Sequence, residues 1–149
     1  MAEAVSHLVV VGASAGGVEA LSTLVSTLSP AFPAPIVVAQ HLDPSRTSHL
    51  HEILARKSNL PVRSVQDEER LEPGVVYVVP ADRHVDIADH MVSVHAEAGH
   101  TRPSPSIDRL LGSAAEAFGE RVVAVILTGL GSDGSDGARR SVTRSTSTA

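Results

Sequence analysis

The amino-acid sequence predicts an α/β fold: a three-layer, doubly wound, mostly parallel sheet with an added antiparallel hairpin. Short apolar runs alternate along the chain with segments of helical periodicity, which is typical of parallel strands joined by crossover helices. The 149 residues are 42% hydrophobic but only 2% aromatic, so the core must consist mainly of Val, Leu, Ile and Ala. Strands covered by helices on both faces have this composition. The length is that of one domain.

The first two strand–helix units lie near the N-terminus. The apolar run at residues 8–11 predicts a strand buried on both faces, and apolar residues at helical spacing predict an amphipathic helix over about 17–28. Residues 36–39 predict the second strand, with Gln40 just beyond its carboxyl end. Ser45 is suited to cap the helix that follows. The unit of strand, turn and helix therefore repeats.

A different pattern occupies the middle of the chain. Val62 and Val65 suggest a short third strand, after which the acidic segment DEERLEPG, residues 67–74, is expected to be a solvated connection. The segment GVVYVVPADRH predicts another strand. The alternation in HVDIADHMVSVHAE predicts an antiparallel hairpin that turns near Asp89 and His90.

The last predicted elements are a helix and a strand. Apolar residues at helical spacing predict a helix over Ile107–Phe118, ended by Gly119. The apolar run at 122–128 predicts a strand, and the glycine-rich segment LGSDGSDG follows it. Residues 140–149 are rich in Ser, Thr and Arg and lack apolar periodicity, so we expect a disordered tail after a domain of residues 1–139.

Charge and composition exclude several classes of protein. The formal net charge is -5, from 12 basic and 17 acidic residues, and the basic residues are scattered, so neither nucleic acid nor an anionic membrane is expected as a partner. The absence of cysteine excludes disulfides, a thiolate nucleophile and thiolate-bound zinc. No run approaches the roughly 18 apolar residues of a membrane span, and Glu3 stands where a signal peptide would be basic. A cytoplasmic protein without membrane insertion is expected.

Three polar side chains follow predicted strands at their carboxyl ends, where open α/β sheets bind ligands. Ser14 follows the first strand, His41 the second and Asp133 the late strand. A serine hydroxyl becomes a nucleophile when an imidazole accepts its proton, and a carboxylate orients that imidazole. The segment GASAG fits the G-x-S-x-G pattern, in which small neighbours expose the serine oxygen. These residue types favour a serine-type hydrolase, a chemistry that needs no cofactor or metal.

Each of these residues also has a simpler explanation. The GASAGG segment can be a plain tight turn or a phosphate cradle, and Ser14 can cap the following helix. His84 competes with His41 as a base, because it too lies close after a predicted strand. Asp133 and Asp136 each belong to an Asp-Gly turn, and spacing alone does not select between them. The histidines do not form the HExxH pattern of a helical zinc site.

Five motifs, in order along the chain, resemble one known family. The motifs are VVVGASAGGVEAL, QHLDPSRTSHLHEIL, EPGVVYVVPADRHV, RPSPSIDRLL and VILTGLGSDGSDGA. Over about residues 7–137 they are similar to the catalytic domain of CheB-type chemotaxis protein-glutamate methylesterases. The resemblance implies a serine hydrolase that demethylates glutamyl methyl esters on the cytoplasmic signalling helices of methyl-accepting chemoreceptors and releases methanol. In some members it also implies deamidation of receptor glutamines.

The family motifs assign roles to residues of this sequence. The serine of G-A-S-x-G-G matches Ser14, the histidine of the Q-H motif matches His41, and the aspartate of T-G-x-G-x-D-G matches Asp133 rather than Asp136. By this resemblance the three form a catalytic triad in the order Ser, His, Asp. That order differs from the Ser, Asp, His order of α/β-hydrolases, so the G-x-S-x-G match does not imply that fold.

Loop residues near this triad are also candidates for the site. The start of the helix after Ser14 is expected to offer backbone N–H groups, those of Ala15 and Gly16, to an oxyanion, and the resemblance implies that Leu130 lies in the active-site loop where the family usually has methionine. Leucine in place of methionine conserves volume. Arg83 and Arg102, in predicted loops, are expected to help dock an acidic receptor helix.

Two further features, besides Leu130, depart from the family pattern. Members of the response-regulator kind carry an N-terminal receiver domain, for which 149 residues leave no room, so regulation is expected to be absent or to come from a separate receiver protein or further sequence. Family domains continue past the aspartate loop, whereas SDGARR is followed here by SVTRSTSTA, as in a truncated or altered C-terminus. The alternative function is therefore a non-catalytic module that binds receptor helices or a phosphate-containing ligand.

Overall fold

The computed structural model describes residues 5–14, 17–40, 49–80, 83–96 and 107–127. Within these ranges none of the helices is long and apolar enough to cross a membrane. A 3₁₀ turn at Gly119–Arg121 precedes the last strand. The elements in chain order are β1 Leu8–Ala13, α1 Val18–Thr27, β2 Ile36–Gln40, α2 Leu50–Lys57, β3 Val62–Ser64, β4 Glu68–Arg70, β5 Val76–Val78, β6 Arg83–Ala88, β7 Met91–Ala96, α3 Ile107–Phe118 and β8 Val122–Leu127.

Five strands form a parallel sheet in the order β3-β5-β2-β1-β8. In this sheet β1 is paired on both sides, so that Ala13 lies opposite Gln40 of β2 and opposite Leu127 of β8. The carboxyl ends of these three strands therefore lie side by side. This is the edge at which an open parallel sheet binds its ligands.

Alternate residues of each central strand face different layers. Val10 of β1 belongs to the core formed with α3 and the antiparallel strands, whereas Val11 belongs to the core formed with α1 and α2. Because both faces are covered, β1 and β2 are apolar almost without interruption. The three-layer, mostly parallel arrangement is the predicted one.

Three further strands form an antiparallel sheet in the order β4-β7-β6. Asp89 and His90, with φ of 50° and 62°, form the two-residue turn between β6 and β7, so the predicted hairpin and its turn are confirmed. The acidic segment, however, is not only a connection, because Glu68–Arg70 forms β4 and pairs with β7. Glu68 also accepts a hydrogen bond from Ser93 Oγ at 3.2 Å. Charged side chains of this kind are typical of edge strands.

Helix α3 approaches β1 at a glycine. A Cβ atom at Gly12 would lie 2.7 Å from Ile107 Cγ2, which is closer than two carbon atoms can pack. Glycine therefore allows the first turn of the helix to lie against the strand. Gly119, with a φ of +60°, follows the last residue of α3 and ends it as predicted. The residues of α3 that are buried are Ile107, Leu110, Leu111, Gly112, Ala114, Ala115 and Phe118.

Two smaller expectations are wrong. The capping role of Ser45 is not one of them, because Ser45 lies outside the described residues; helix α2 begins at Leu50 with His49 at its N-cap position. Gln40 is the last residue of β2 rather than a residue beyond it, because its backbone still pairs with β1. Arg83 is the exposed first residue of β6 rather than a loop residue, because it pairs with β7. Arg102 lies outside the described residues.

An ion-pair network joins α3 to the antiparallel sheet. Arg109 donates two hydrogen bonds to Asp86, from Nε to Oδ1 at 2.8 Å and from Nη2 to Oδ2 at 2.7 Å. His95 Nε2 lies 3.1 Å from the same Oδ2 atom. The hydrogen bonds from Arg109 hold the pKa of Asp86 below its ordinary value. Burial opposes this shift, whereas the charges of Arg109, His95 and His84 add to it. The helix and the hairpin are thus connected by charge as well as by apolar packing.

The hydroxyl of Tyr77 connects the two sheets. Tyr77 lies in β5 with none of its surface exposed. Its hydroxyl donates to the carbonyl oxygen of Arg70 at 2.9 Å and accepts from the N–H of Glu72 at 2.8 Å. Burial raises the pKa of this phenol. The end of β4 is thereby fixed to the parallel sheet.

The close contact at Gly12 predicts a strong coupling between two substitutions. Gly12→Ala should lower the free energy of unfolding by about 1–3 kcal/mol, because the new methyl group overlaps Ile107. Ile107→Ala removes the overlapping atoms, so the double variant should lose less stability than the two single variants summed. Denaturant unfolding of the four proteins measures this coupling. Additive losses would contradict the contact.

The lowered pKa of Asp86 predicts how the effect of Asp86→Asn depends on pH. At neutral pH the variant should lose about 1 kcal/mol of unfolding free energy, because the amide cannot replace the charge-assisted pair with Arg109. A carboxyl with a lowered folded-state pKa stabilises the protein above its ordinary pKa, and this contribution is lost as the pH falls below about 4. Urea unfolding across this range should show wild type and variant converging in acid. A constant difference would contradict the prediction.

Candidate active site

Ser14 lies directly after β1, at the carboxyl edge of the parallel sheet. It is 9% exposed, and the buried polar side chains of the described ranges are Ser14, Gln40 and His84. Helix α1 has Gly17 at its N-cap position. Ser14 is therefore not the helix cap, which was one of the simpler explanations of this residue.

Two hydrogen bonds fix the backbone at Ser14. Its carbonyl oxygen accepts from the N–H of Gly17 at 2.9 Å, which closes the reversal of the chain between β1 and α1. The same oxygen accepts from Nε2 of Gln40 at 3.3 Å. The peptide group that follows the Ser14 side chain is thus held by its own turn and by the neighbouring strand.

The strands beside β1 lead toward the other two residues of the predicted triad. Gln40, the last residue of β2, directly precedes His41, and β8 ends at Leu127, after which the chain runs toward Asp133. The roles of His41 and Asp133 stay predictions. The predicted site residues that lie outside the described ranges are His41, Asp133, Ala15, Gly16 and Leu130.

Several described histidines lie in other elements than β1 and β2. His84, the competing base, lies in β6 of the antiparallel sheet, is 3% exposed and pairs with His95 of β7. His49 is exposed and lies 3.5 Å from Glu52, and His51 Nε2 lies 3.1 Å from a backbone oxygen of β3. Within the part of the chain that the structure describes, no group of three or more His, Asp or Glu residues could hold a metal ion.

The sequence analysis did not predict the contact between Gln40 and Ser14. Strand β2 reads IVVAQ, and all five of its residues are buried. A glutamine that ends such a strand needs a hydrogen-bonding partner, because an amide buried without one costs several kcal/mol. That requirement was visible in the sequence, but the identity of the partner was not.

Comparison with known proteins decides the family. The family model described as CheB methylesterase matches residues 9–147. The chain belongs to this family. A protein-glutamate methylesterase/protein-glutamine glutaminase 1 of Saccharophagus degradans is 42% identical over 134 residues, covering 89% of this chain and 37% of that protein. A protein-glutamate methylesterase/protein-glutamine glutaminase of Thermotoga maritima is 38% identical over 135 residues, covering 88% and 39%.

The fold agrees with a solved structure of the CheB family. The crystal structure of the Thermotoga maritima CheB methylesterase catalytic domain matches with a TM-score of 0.85 and 34% identity, covering 97% of this chain and 79% of that one. The family resemblance and the fold class expected from the sequence are confirmed. The chain spans less than two fifths of the length of these curated relatives. Because they are named as enzymes, the alternative of a non-catalytic binding module is not favoured.

Proposed function

We propose that this chain hydrolyses glutamyl methyl esters on the signalling helices of methyl-accepting chemoreceptors, and also deamidates glutamines there. Membership of the CheB family and the enzyme names of the curated relatives support this activity. The observation that carries it is the placement of Ser14. This serine directly follows a strand that is paired on both sides, at the carboxyl edge of the sheet, and its backbone is held by two hydrogen bonds.

In the proposed reaction Ser14 Oγ is the nucleophile. His41 accepts the hydroxyl proton while Oγ bonds to the ester carbonyl carbon, and then gives that proton to the departing methoxide, so that methanol leaves and Ser14 carries the acyl group. His41 then takes a proton from water as the water oxygen attacks the acyl carbon, and gives that proton to Ser14 Oγ as the bond between Oγ and the acyl carbon breaks. The glutamic acid that is released loses its proton to solvent, and Ser14 and His41 are restored. Asp133 orients His41 and stabilises its cationic form. With a glutamine substrate, ammonia leaves in place of methanol.

The turn after β1 supplies the proposed oxyanion donors. The N–H of Gly17 donates to the carbonyl oxygen of Ser14 and is therefore occupied. We assign the donors to the backbone N–H groups of Ala15 and Gly16, with Leu130 bordering the same site. Fixed donors aimed at the developing negative oxygen stabilise the transition state without reorganising.

The proposed function also implies a binding partner and a cellular location. The substrate is a receptor helix on the cytoplasmic side, so we place the reaction in the cytoplasm. The exposed Arg83, together with Arg102, is proposed to contact acidic residues of that helix. Control by a separate receiver protein remains a prediction of the family resemblance.

Ser14→Ala tests the proposed function directly. Release of labelled methanol from methylated chemoreceptor should fall at least about 10³-fold, because removal of the nucleophile leaves only binding and oxyanion stabilisation. Ser26→Ala is the matched control, since the hydroxyl of Ser26 is exposed and bonded only locally, to Thr23 O at 2.8 Å. Equal methanol release by wild type and Ser14→Ala would end the proposal.

Asp133→Asn and Asp136→Asn separate the two candidate aspartates. Asp133→Asn should lower kcat by about 10³- to 10⁴-fold, because an amide no longer stabilises the imidazolium of His41. Asp136→Asn should leave kcat within a factor of about three, as expected for a turn residue. Initial rates of methanol release at saturating receptor measure both effects. The reverse ranking would transfer the role to Asp136.

A further inference from the structure

Gln40 is a polar residue at an apolar position. It is 4% exposed and ends a strand in which every residue is buried. Glutamine is seldom fully buried, and its amide loses hydration that only well-placed partners restore. A buried glutamine immediately before the proposed base therefore requires a physical explanation.

One contact of this side chain is with the residue proposed as nucleophile. Nε2 of Gln40 donates to the carbonyl oxygen of Ser14 at 3.3 Å, and the N–H of Gly17 donates to the same oxygen at 2.9 Å. A carbonyl oxygen has two lone pairs, and these two donors approach it from different elements. Rotation of the Ser14 peptide would lengthen both hydrogen bonds. The two donors thus restrict the backbone from which the Ser14 hydroxyl projects.

The strand register explains why Gln40 reaches this carbonyl. Gln40 lies opposite Ala13 in the parallel pairing of β1 and β2. The Cα atom of Gln40 therefore lies level with the residue before Ser14. From there the side chain extends along the sheet toward its carboxyl edge and reaches the Ser14 carbonyl. The contact joins the strand that leads to His41 with the strand that leads to Ser14.

We propose that Gln40 is a positioning residue for the esterase reaction, which holds the Ser14 peptide so that the hydroxyl is presented to His41 and to the ester. The inference rests on the proposed role of Ser14 as nucleophile. The hydrogen bond of Gln40 to the carbonyl oxygen of Ser14 acts through the backbone of that residue. Its loss is expected to affect the chemical step more than the binding of the receptor.

Gln40→Met removes the donor while keeping a side chain of similar length. The value of kcat for methanol release should fall about 10- to 100-fold, as small displacements of a reacting group do, while KM changes less than about twofold. The rate at which a fluorophosphonate labels Ser14 should fall in parallel, because that reaction reports the nucleophile without receptor binding. Gln66→Met is the matched control. It removes a hydrogen bond of the same length, 3.3 Å, from Gln66 to Ser64 at an exposed position.

Gln40→Glu provides a second test, in which the protonated and ionised forms of one variant are compared. A protonated glutamic acid can donate to the Ser14 carbonyl, whereas the ionised carboxylate cannot. The ratio of the labelling rate of Gln40→Glu to that of wild type should therefore rise as the pH falls through the carboxyl pKa, which burial raises above its ordinary value. A residue that merely fills space would show no such recovery. This readout remains available if Gln40→Met does not fold.

The outcomes separate this inference from the proposed function. Unchanged kcat and labelling rate in folded Gln40→Met, or a pH-independent ratio for Gln40→Glu, would overturn the role of Gln40 while leaving Ser14 as nucleophile. A KM effect without a kcat effect would also overturn it. Methanol release that survives Ser14→Ala would instead remove the proposed function on which the inference rests.

Discussion

The approach of Ile107 to Gly12 is the constraint on which much of the structure depends. Because no side chain at residue 12 separates them, the first turn of α3 lies against β1 just before Ser14. The same helix contacts β6 through Ser113, whose Oγ accepts a hydrogen bond from the N–H of Ile87 at 2.9 Å. The strand that carries the proposed nucleophile is therefore connected through one helix to the antiparallel sheet. A glycine ahead of the serine is as much a packing requirement as a requirement of the turn.

Elements with strong local periodicity were predictable from the sequence. The helix Ile107–Phe118 has the predicted bounds, and the hairpin turns at Asp89 and His90 as expected, because in both cases the local pattern agrees with the tertiary contacts. Strand β4 was not predictable. The segment Glu68–Arg70 has the composition of a solvated loop and becomes a strand only by pairing with β7, a contact that no local pattern encodes.

The same distinction applies to the site. The position of Ser14 after a buried strand was predictable from the small residues around it. Residue spacing did not decide between His41 and His84 as the base, or between Asp133 and Asp136 as the orienting carboxylate. Both choices depend on the family resemblance. The contact of Gln40 with Ser14 depends on the register between two strands that are distant in sequence. Such a contact becomes visible only when the sheet is assembled.

The hydroxyl of Tyr77 has a practical consequence for the study of this protein. The chain contains one tyrosine and no tryptophan, so its tyrosine fluorescence originates from a single side chain. That side chain is fully buried in β5 and bonded to the end of β4, where the two sheets meet. Separation of the sheets would expose the phenol to water and change its emission. The native protein thus contains an optical probe of its own interior, and no label has to be introduced.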